Sequence, residues 1–243
     1  MMSLMHKTAI VLVASGLSRR FGRQDKMLAS LGGQPLVEHA ANAITSLHPI
    51  VRVAVCPANR PAISERLIDQ FVIAVNKKPK DGLGHSIALG AQVALQFKPD
   101  AIMVCMGDMP FVEPWLLDAL TRRLAEGGAD IVHAGASNSP HPPTVFGRAC
   151  FDRLAALDGD DGAKSLMRVS DLKVVAFSAP APVLLDIDTR EDLELAQRQL
   201  VIRARCYARR PNEDEGGAGG GAAPMPPVRP PERTAPESRA AAG

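Results

Sequence analysis

No two cysteines in this 243-residue chain stand at the spacing of a zinc site or a redox pair; Cys56, Cys105, Cys150 and Cys206 lie far apart. Cys56 and Cys105 fall inside apolar runs, so the cysteines read as small buried hydrophobes of a reducing compartment. A dominant charge is also missing. With 28 Lys and Arg against 26 Asp and Glu, the formal net charge is +2, which argues against a dedicated nucleic-acid binder. No apolar run is long enough to span a membrane. The start, MMSLMHKTAIVLVA, runs into a loop rich in glycine and arginine without a small-residue cleavage pattern, so it is not read as a signal peptide. The expectation is a cytoplasmic protein with no nucleic-acid and no membrane partner.

What is present is an alternation. AIVLVA from Ala9, VRVAV from Val51, FVIAV from Phe71, AIMVCM from Ala101, ADIVHA from Ala129, KVVAF from Lys173 and VLLDID from Val183 are short and apolar and read as strands. PLVEHAANAITSL, ISERLIDQF, GHSIALGAQVALQF and EPWLLDALTRRLAEGG carry apolar residues at helical spacing, with Pro35 in the first turn of the first helix and Gly127-Gly128 stopping the last. A final helix follows Thr189 as N-cap, with Glu191 and Asp192 in its first turn. Strands alternating with helices predict a three-layer α/β/α domain around a mostly parallel sheet. That domain is expected to span residues 1–208. Residues 209–243 are rich in Pro, Gly and Ala, nearly free of large apolar residues, and read as a disordered tail.

Sheets of this kind bind ligands at the carboxyl ends of their strands. The loop after the first strand, from Ala14 through Ser15, Gly16, Leu17, Ser18, Arg19 and Arg20 to Lys26, combines small residues with cations. Backbone N–H groups of such a loop cradle phosphate oxygens, while Arg and Lys neutralise their charge. A P-loop is excluded because Arg23-Gln24 follow Gly22, and a dinucleotide fingerprint because Gly16 has no second glycine two residues on. A solvated basic turn is the competing reading. Being a loop residue, Lys26 is expected to contribute little to the core. Two further strand ends are acidic. Asp108 follows AIMVCM-Gly107, where it would either ligate Mg²⁺ or cap a turn. Asp186 and Asp188 are two apart on the last predicted strand and so share a face; Asp188 reads as a second ligand or as a helix cap.

Taken in order, Ala14-Ser15-Gly16-Leu17-Ser18-Arg19-Arg20-Phe21-Gly22 with Lys26, Gly32-Gly33-Gln34-Pro35-Leu36, Asp81-Gly82-Leu83-Gly84-His85-Ser86, Gly107-Asp108-Met109-Pro110, His141-Pro142-Pro143-Thr144-Val145-Phe146 and Leu185-Asp186-Ile187-Asp188-Thr189 resemble the molybdenum cofactor nucleotidyltransferases, within the nucleotide-diphospho-sugar transferase fold. Ser15-Gly16 and the two aspartates at 186 and 188 are closer to the cytidylyl branch. The resemblance implies transfer of CMP from CTP to the terminal phosphate of molybdopterin, with release of pyrophosphate. It implies Mg²⁺ held by Asp108 and Asp188, Lys26 at the α-phosphate, and Arg19 with the loop backbone on the β- and γ-phosphates. Asp81, Gly82, Gly84 and Ser86 would read the base, and His141, Pro142 and Asp186 would line the pterin side. A molybdoenzyme apoprotein of the xanthine dehydrogenase type is the implied recipient. Two alternatives remain: a nucleotidyltransferase of the same fold acting with another base or acceptor, such as GTP or a sugar or alcohol phosphate, and a non-catalytic nucleotide-binding chaperone for the cofactor.

Overall fold

The computed structural model describes residues 3–18, 20–22, 25–136 and 138–208, with side chains as far as 203. Its strands are β1 (Thr8–Val13), β2 (Ser30–Leu31), β3 (Gln34–Pro35), β4 (Val51–Pro57), β5 (Val72–Asn76), β6 (Ala101–Met106), β7 (Ile131–Ala136), β8 (Ser139–Gly147) and β9 (Val174–Phe177). Its α-helices are α1 (Leu36–Thr45), α2 (Pro61–Glu65), α3 (Gly82–Leu95), α4 (Pro114–Ala125), α5 (Phe151–Ala155) and α6 (Arg190–Ala208). Seven strands form one sheet in the order β5-β4-β1-β6-β8-β7-β9, while β2 and β3 form a small hairpin. Only β8 runs against its neighbours in the large sheet.

The three layers follow from period-two burial. Ile10, Leu12, Ala54, Cys56, Met103 and Cys105 face the layer of α1, α2 and α4. Their immediate neighbours, among them Ala9, Val11, Val53, Val55, Ile102 and Val104, face α3 and α5. Both faces are covered, which is why these strands read as continuous apolar runs. A third, smaller cluster joins Phe21, Leu31, Leu36, Phe111, Ile187 and Ala196 beneath the loop that follows β1. Cys56, Cys105 and Cys150 are free and buried, and burial pushes the Cys56 thiol up to about 12 and Cys150 to about 11. The side chain of Cys206 and the whole of 209–243 lie outside the described residues. No described helix is long and apolar enough to cross a membrane.

Three expectations need correction. VLLDID is not a strand: Ala181–Val183 is a single 3-10 turn, and the chain then runs irregularly to Thr189. Its apolar residues are buried without joining the sheet, Val183 and Leu184 in the cluster on the α1, α2 and α4 side and Ile187 in the cluster beneath the loop. The sheet position is instead filled by β8, whose prolines hid it. Pro142 and Pro143 fall where the β7–β8 register shifts, so no ladder donor is demanded of them. Third, the helix expected over ISERLIDQF is only the short α2, followed by turns from Arg66 to Gln70.

Candidate active site

The carboxyl ends of β1 and β6 are adjacent, because the two strands pair in register from Thr8–Ala101 to Val13–Met106. The loop after β1 and the turn after β6 therefore emerge side by side. Gly107 N–H donates to the Val13 carbonyl at 3.0 Å and continues the ladder one step past the strand. Asp108 follows at once. The 183–189 segment is brought to the same place by one backbone bond, Ile187 N–H to the Asp108 carbonyl at 2.9 Å, with Ile187 buried. Asp188 thereby comes to face Asp108.

Lys26 lies between them. Its Nζ donates to Asp108 Oδ2 at 2.7 Å and to Asp188 Oδ1 at 3.0 Å, and the lysine is only 5% exposed. This corrects the view of Lys26 as a loop residue of little structural weight. Burial works against the charge on Lys26, but the two carboxylates outweigh it and hold the ammonium above its ordinary range. Burial also pushes the Asp108 carboxyl up; Lys26 pulls it back only in part, and Asp188 adds to the rise. Two carboxylates so placed require a cation between them. Arg20 pairs with the other oxygen of Asp188 at 2.7 Å, but is itself largely exposed.

Asp188 is steadied from behind. Asp192 Oδ2 accepts from Asp188 N–H at 3.0 Å, from Thr189 N–H at 2.8 Å and from the Thr189 hydroxyl at 2.9 Å, while Asp192 N–H donates back to Thr189 Oγ1 at 3.2 Å. This is a reciprocal cap on α6. Burial opposes ionisation of Asp192, but these hydrogen bonds prevail and hold its carboxyl below the ordinary range.

The loop from Ser15 to Ser18 forms one wall of an open cleft of about 400 Å³ that also contains Lys26, Asp108, Asp188, Lys80, Leu83 and Asp160. Ser18 has φ +52°, a left-handed conformation unusual outside glycine, and its hydroxyl accepts from Lys26 N–H at 3.3 Å. Phe21, fully buried, anchors the loop from below. Ser15 donates to Ser86 Oγ at 2.7 Å; Ser86 also accepts from Asn76 and donates to the Gly82 carbonyl at 3.3 Å. The Ser86 hydroxyl is thus engaged within the protein, tying the loop to α3. Gly82 and Gly84 likewise make their close approach to protein. A Cβ on Gly84 would stand 2.4 Å from the Asp158 carbonyl oxygen, and one on Gly82, which has φ +97°, 2.3 Å from Gly159. Gly84 N–H donates to Gly159 O at 2.8 Å.

The structure thus gathers Ser15, Gly16, Leu17, Ser18, Lys26, Gly82, Ser86, Asp108 and Asp188 around one cleft. Ala14 lies buried just beneath, and Asp81 and Gly84 stand beside it at the start of α3. His141 and Pro142 line an adjoining cavity of about 230 Å³ that shares Leu83, Met106 and Asp160 with the cleft. Asp186 is exposed and borders neither of these cavities. Arg19 lies outside the described residues. Asp160, Lys80 and Arg60 were not anticipated. Arg60 has no motif around it; the pairing of β4 with β1 brings it beside the loop, where it donates to the Gly16 carbonyl.

Among the described residues no third His, Cys, Asp or Glu completes a metal cage. Two hard carboxylate oxygens converging on one point fit a divalent ion that takes its other ligands from substrate phosphate and water.

A family model described as the MobA-like NTP transferase domain matches residues 9–175. The purine catabolism protein PucB of Bacillus subtilis is 26% identical over 78% of this chain and 96% of its own length. The bifunctional protein GlmU of Alkalilimnicola ehrlichii is 29% identical over 80% of this chain, but the match spans only 42% of that longer protein. Among solved structures, the molybdopterin-guanine dinucleotide biosynthesis protein A of Archaeoglobus fulgidus superposes with a TM-score of 0.60 at 20% identity, over 80% of this chain and 96% of that one. A manganese complex of Rv0371C from Mycobacterium tuberculosis superposes with a TM-score of 0.58 at 22% identity, over 79% and 97%. At these identities the structures show the shared fold.

Proposed function

Because the chain belongs to the MobA-like NTP transferase domain family, a nucleotidyltransferase family, we propose that it transfers CMP from CTP to the terminal phosphate of molybdopterin, releasing pyrophosphate. The observation that carries this reading is the Asp108–Lys26–Asp188 triangle set against the amide-rich loop of Ser15 to Ser18 in one cleft. The Ser15–Ser86 hydrogen bond ties the loop to α3, and the Ser15-Gly16 pair is the part of the loop nearer the cytidylyl branch. A pterin acceptor is the one named for the Archaeoglobus fulgidus molybdopterin-guanine dinucleotide biosynthesis protein A, which shares this fold.

The loop amides would bind the triphosphate, and Lys26 would transfer its charge from the carboxylates to the α-phosphate. Asp108 and Asp188 would hold Mg²⁺, which when bound neutralises phosphate charge. The acceptor phosphate is already ionised at neutral pH. Its oxygen forms the new bond to the α-phosphorus while the bond to the β-phosphate breaks, so the protein supplies position and charge and no general base. His141 and Pro142 would contact the acceptor from the adjoining cavity.

The experiment is pyrophosphate release with CTP, GTP, UTP and ATP in turn, each with and without molybdopterin. The reading expects release with CTP and only when molybdopterin is present. Preference for GTP would reassign the base, and release with a sugar phosphate alone would reassign the acceptor.

A further inference from the structure

Arg60 is the first residue past the turn after β4 and immediately precedes α2. It belongs to none of the motifs around the cleft and does not line it. Yet its guanidinium reaches two points on the phosphate loop that are nine residues apart in sequence. Nη2 donates to the Gly16 carbonyl at 2.6 Å, and Nη1 donates to Asp25 Oδ2 at 3.0 Å. The side chains of Arg60 and Asp25 are 19% and 14% exposed, so the pair is largely shielded from water. The other oxygen of Asp25 accepts Met27 N–H at 3.0 Å, capping the 3-10 turn that carries Lys26.

The Gly16 bond fixes a direction as well as a position. A peptide unit is planar and trans, so its C=O and the N–H of the next residue point opposite ways. Holding the Gly16 carbonyl on Arg60, which does not line the cleft, turns Leu17 N–H away from Arg60, and Gly16 and Leu17 both line the cleft. Among the described residues Leu17 N–H has no acceptor. The Asp25 bond fixes the other end of the loop, one residue before Lys26. A single planar fork thus closes the neck of the loop and sets both an amide donor and the lysine. Lysine, a point charge, lacks the paired geometry to hold both partners at once.

We propose that Arg60 is a positioning residue for nucleotide binding: by bridging Gly16 and Asp25 it presets the phosphate loop, so that the triphosphate meets amides already aimed at it. This rests on reading the cleft as the NTP site. The gain is one of preorganisation, so removing the fork should weaken nucleotide affinity and leave the reacting groups intact.

The test uses the full chain. CTP affinity is measured by titration calorimetry with Mg²⁺ and no acceptor, KM and kcat by pyrophosphate release, and thermal midpoints are recorded in parallel. Arg60→Met should raise the dissociation constant and KM for CTP by about tenfold or more, the loss of one hydrogen bond to a charged group, with kcat changed far less. Arg60→Lys, which can still pair with Asp25, should keep a near-native midpoint yet bind CTP almost as weakly as Arg60→Met. Guanidinium added to Arg60→Ala, which leaves open the space that methionine fills, should restore part of the affinity. Arg60→Lys binding CTP as well as the wild type, or an Arg60→Met loss confined to kcat, would overturn the proposal. Should Arg60→Met fail to fold, Arg60→Lys decides. A wild type that binds no nucleotide at all would instead overturn the reading of the cleft.

Discussion

Removing the Lys26 amine, as in Lys26→Met, would leave Asp108 and Asp188 facing each other. Each has an oxygen within 3.0 Å of the missing nitrogen. At a separation of roughly 5 Å and an effective dielectric near 20, their repulsion is about 3 kcal/mol. Breaking a buried pair by deleting one partner costs about 3–5 kcal/mol, and the partial exposure of Asp188 (27%) places this case at the low end of that range. For a domain of this size, about 3 kcal/mol lowers the thermal midpoint by roughly 6–12 °C. Differential scanning fluorimetry reads this directly. A second arm separates the carboxylate clash from simple loss of packing: Mn²⁺ or Mg²⁺, added without nucleotide, should raise the midpoint of Lys26→Met more than that of the wild type, because the vacated position between two carboxylates accepts a cation. A Lys26→Met midpoint within about 2 °C of wild type, or no differential response to the metal, would refute the reasoning.

Asp108→Asn keeps the side-chain shape and leaves Lys26 paired with Asp188, so it should fold, while pyrophosphate release falls by about a thousandfold or more; activity near wild type would remove Asp108 from the site. Gly84→Ala places a methyl group where the Asp158 backbone already stands, and should cost about 1–3 kcal/mol of stability and displace the 158–160 loop, checked by urea unfolding. Asp192 is held below its ordinary carboxylate value of 3.8. Its contribution to stability is therefore present above that value and is lost as pH falls through the lowered folded one. In Asp192→Asn, stability measured by urea unfolding should depend less steeply on pH across that acid window than in the wild type.

Much of the architecture was legible because sheets covered on both faces write themselves into sequence as short apolar runs. β1, β4 and β6 were read almost to the residue for that reason. β8 was not, since its prolines break the alternation and sit where a register shift tolerates them. The 183–188 run erred in the other direction: Val183, Leu184 and Ile187 are buried, and burial alone does not say whether the backbone pairs. Around the cleft, the Ser15–Ser18 loop and Asp108 stood out because each follows a strand end, and Lys26 and Asp188 because each lies beside a capped helix start. The role of Gly82 and Gly84 was legible only as a need for close approach, and the partner proved to be the Asp158–Gly159 backbone.

Residue type and local order, taken by themselves, determined which groups this protein has to bring together: an amide-rich basic loop and Asp108 after two strands, a lysine in a capped turn, and Asp188 just before the last helix. Tertiary structure alone decided that they meet. The in-register pairing of β1 with β6 and the single Ile187–Asp108 backbone bond bring Asp188, 80 residues downstream of Asp108, to within 3.0 Å of Lys26. They turn a lysine that sequence position marks as a surface loop residue into a buried bridge between two carboxylates. Such long-range pairings leave no local signature, because their partners are chosen by the order of strands in the sheet and not by neighbours along the chain.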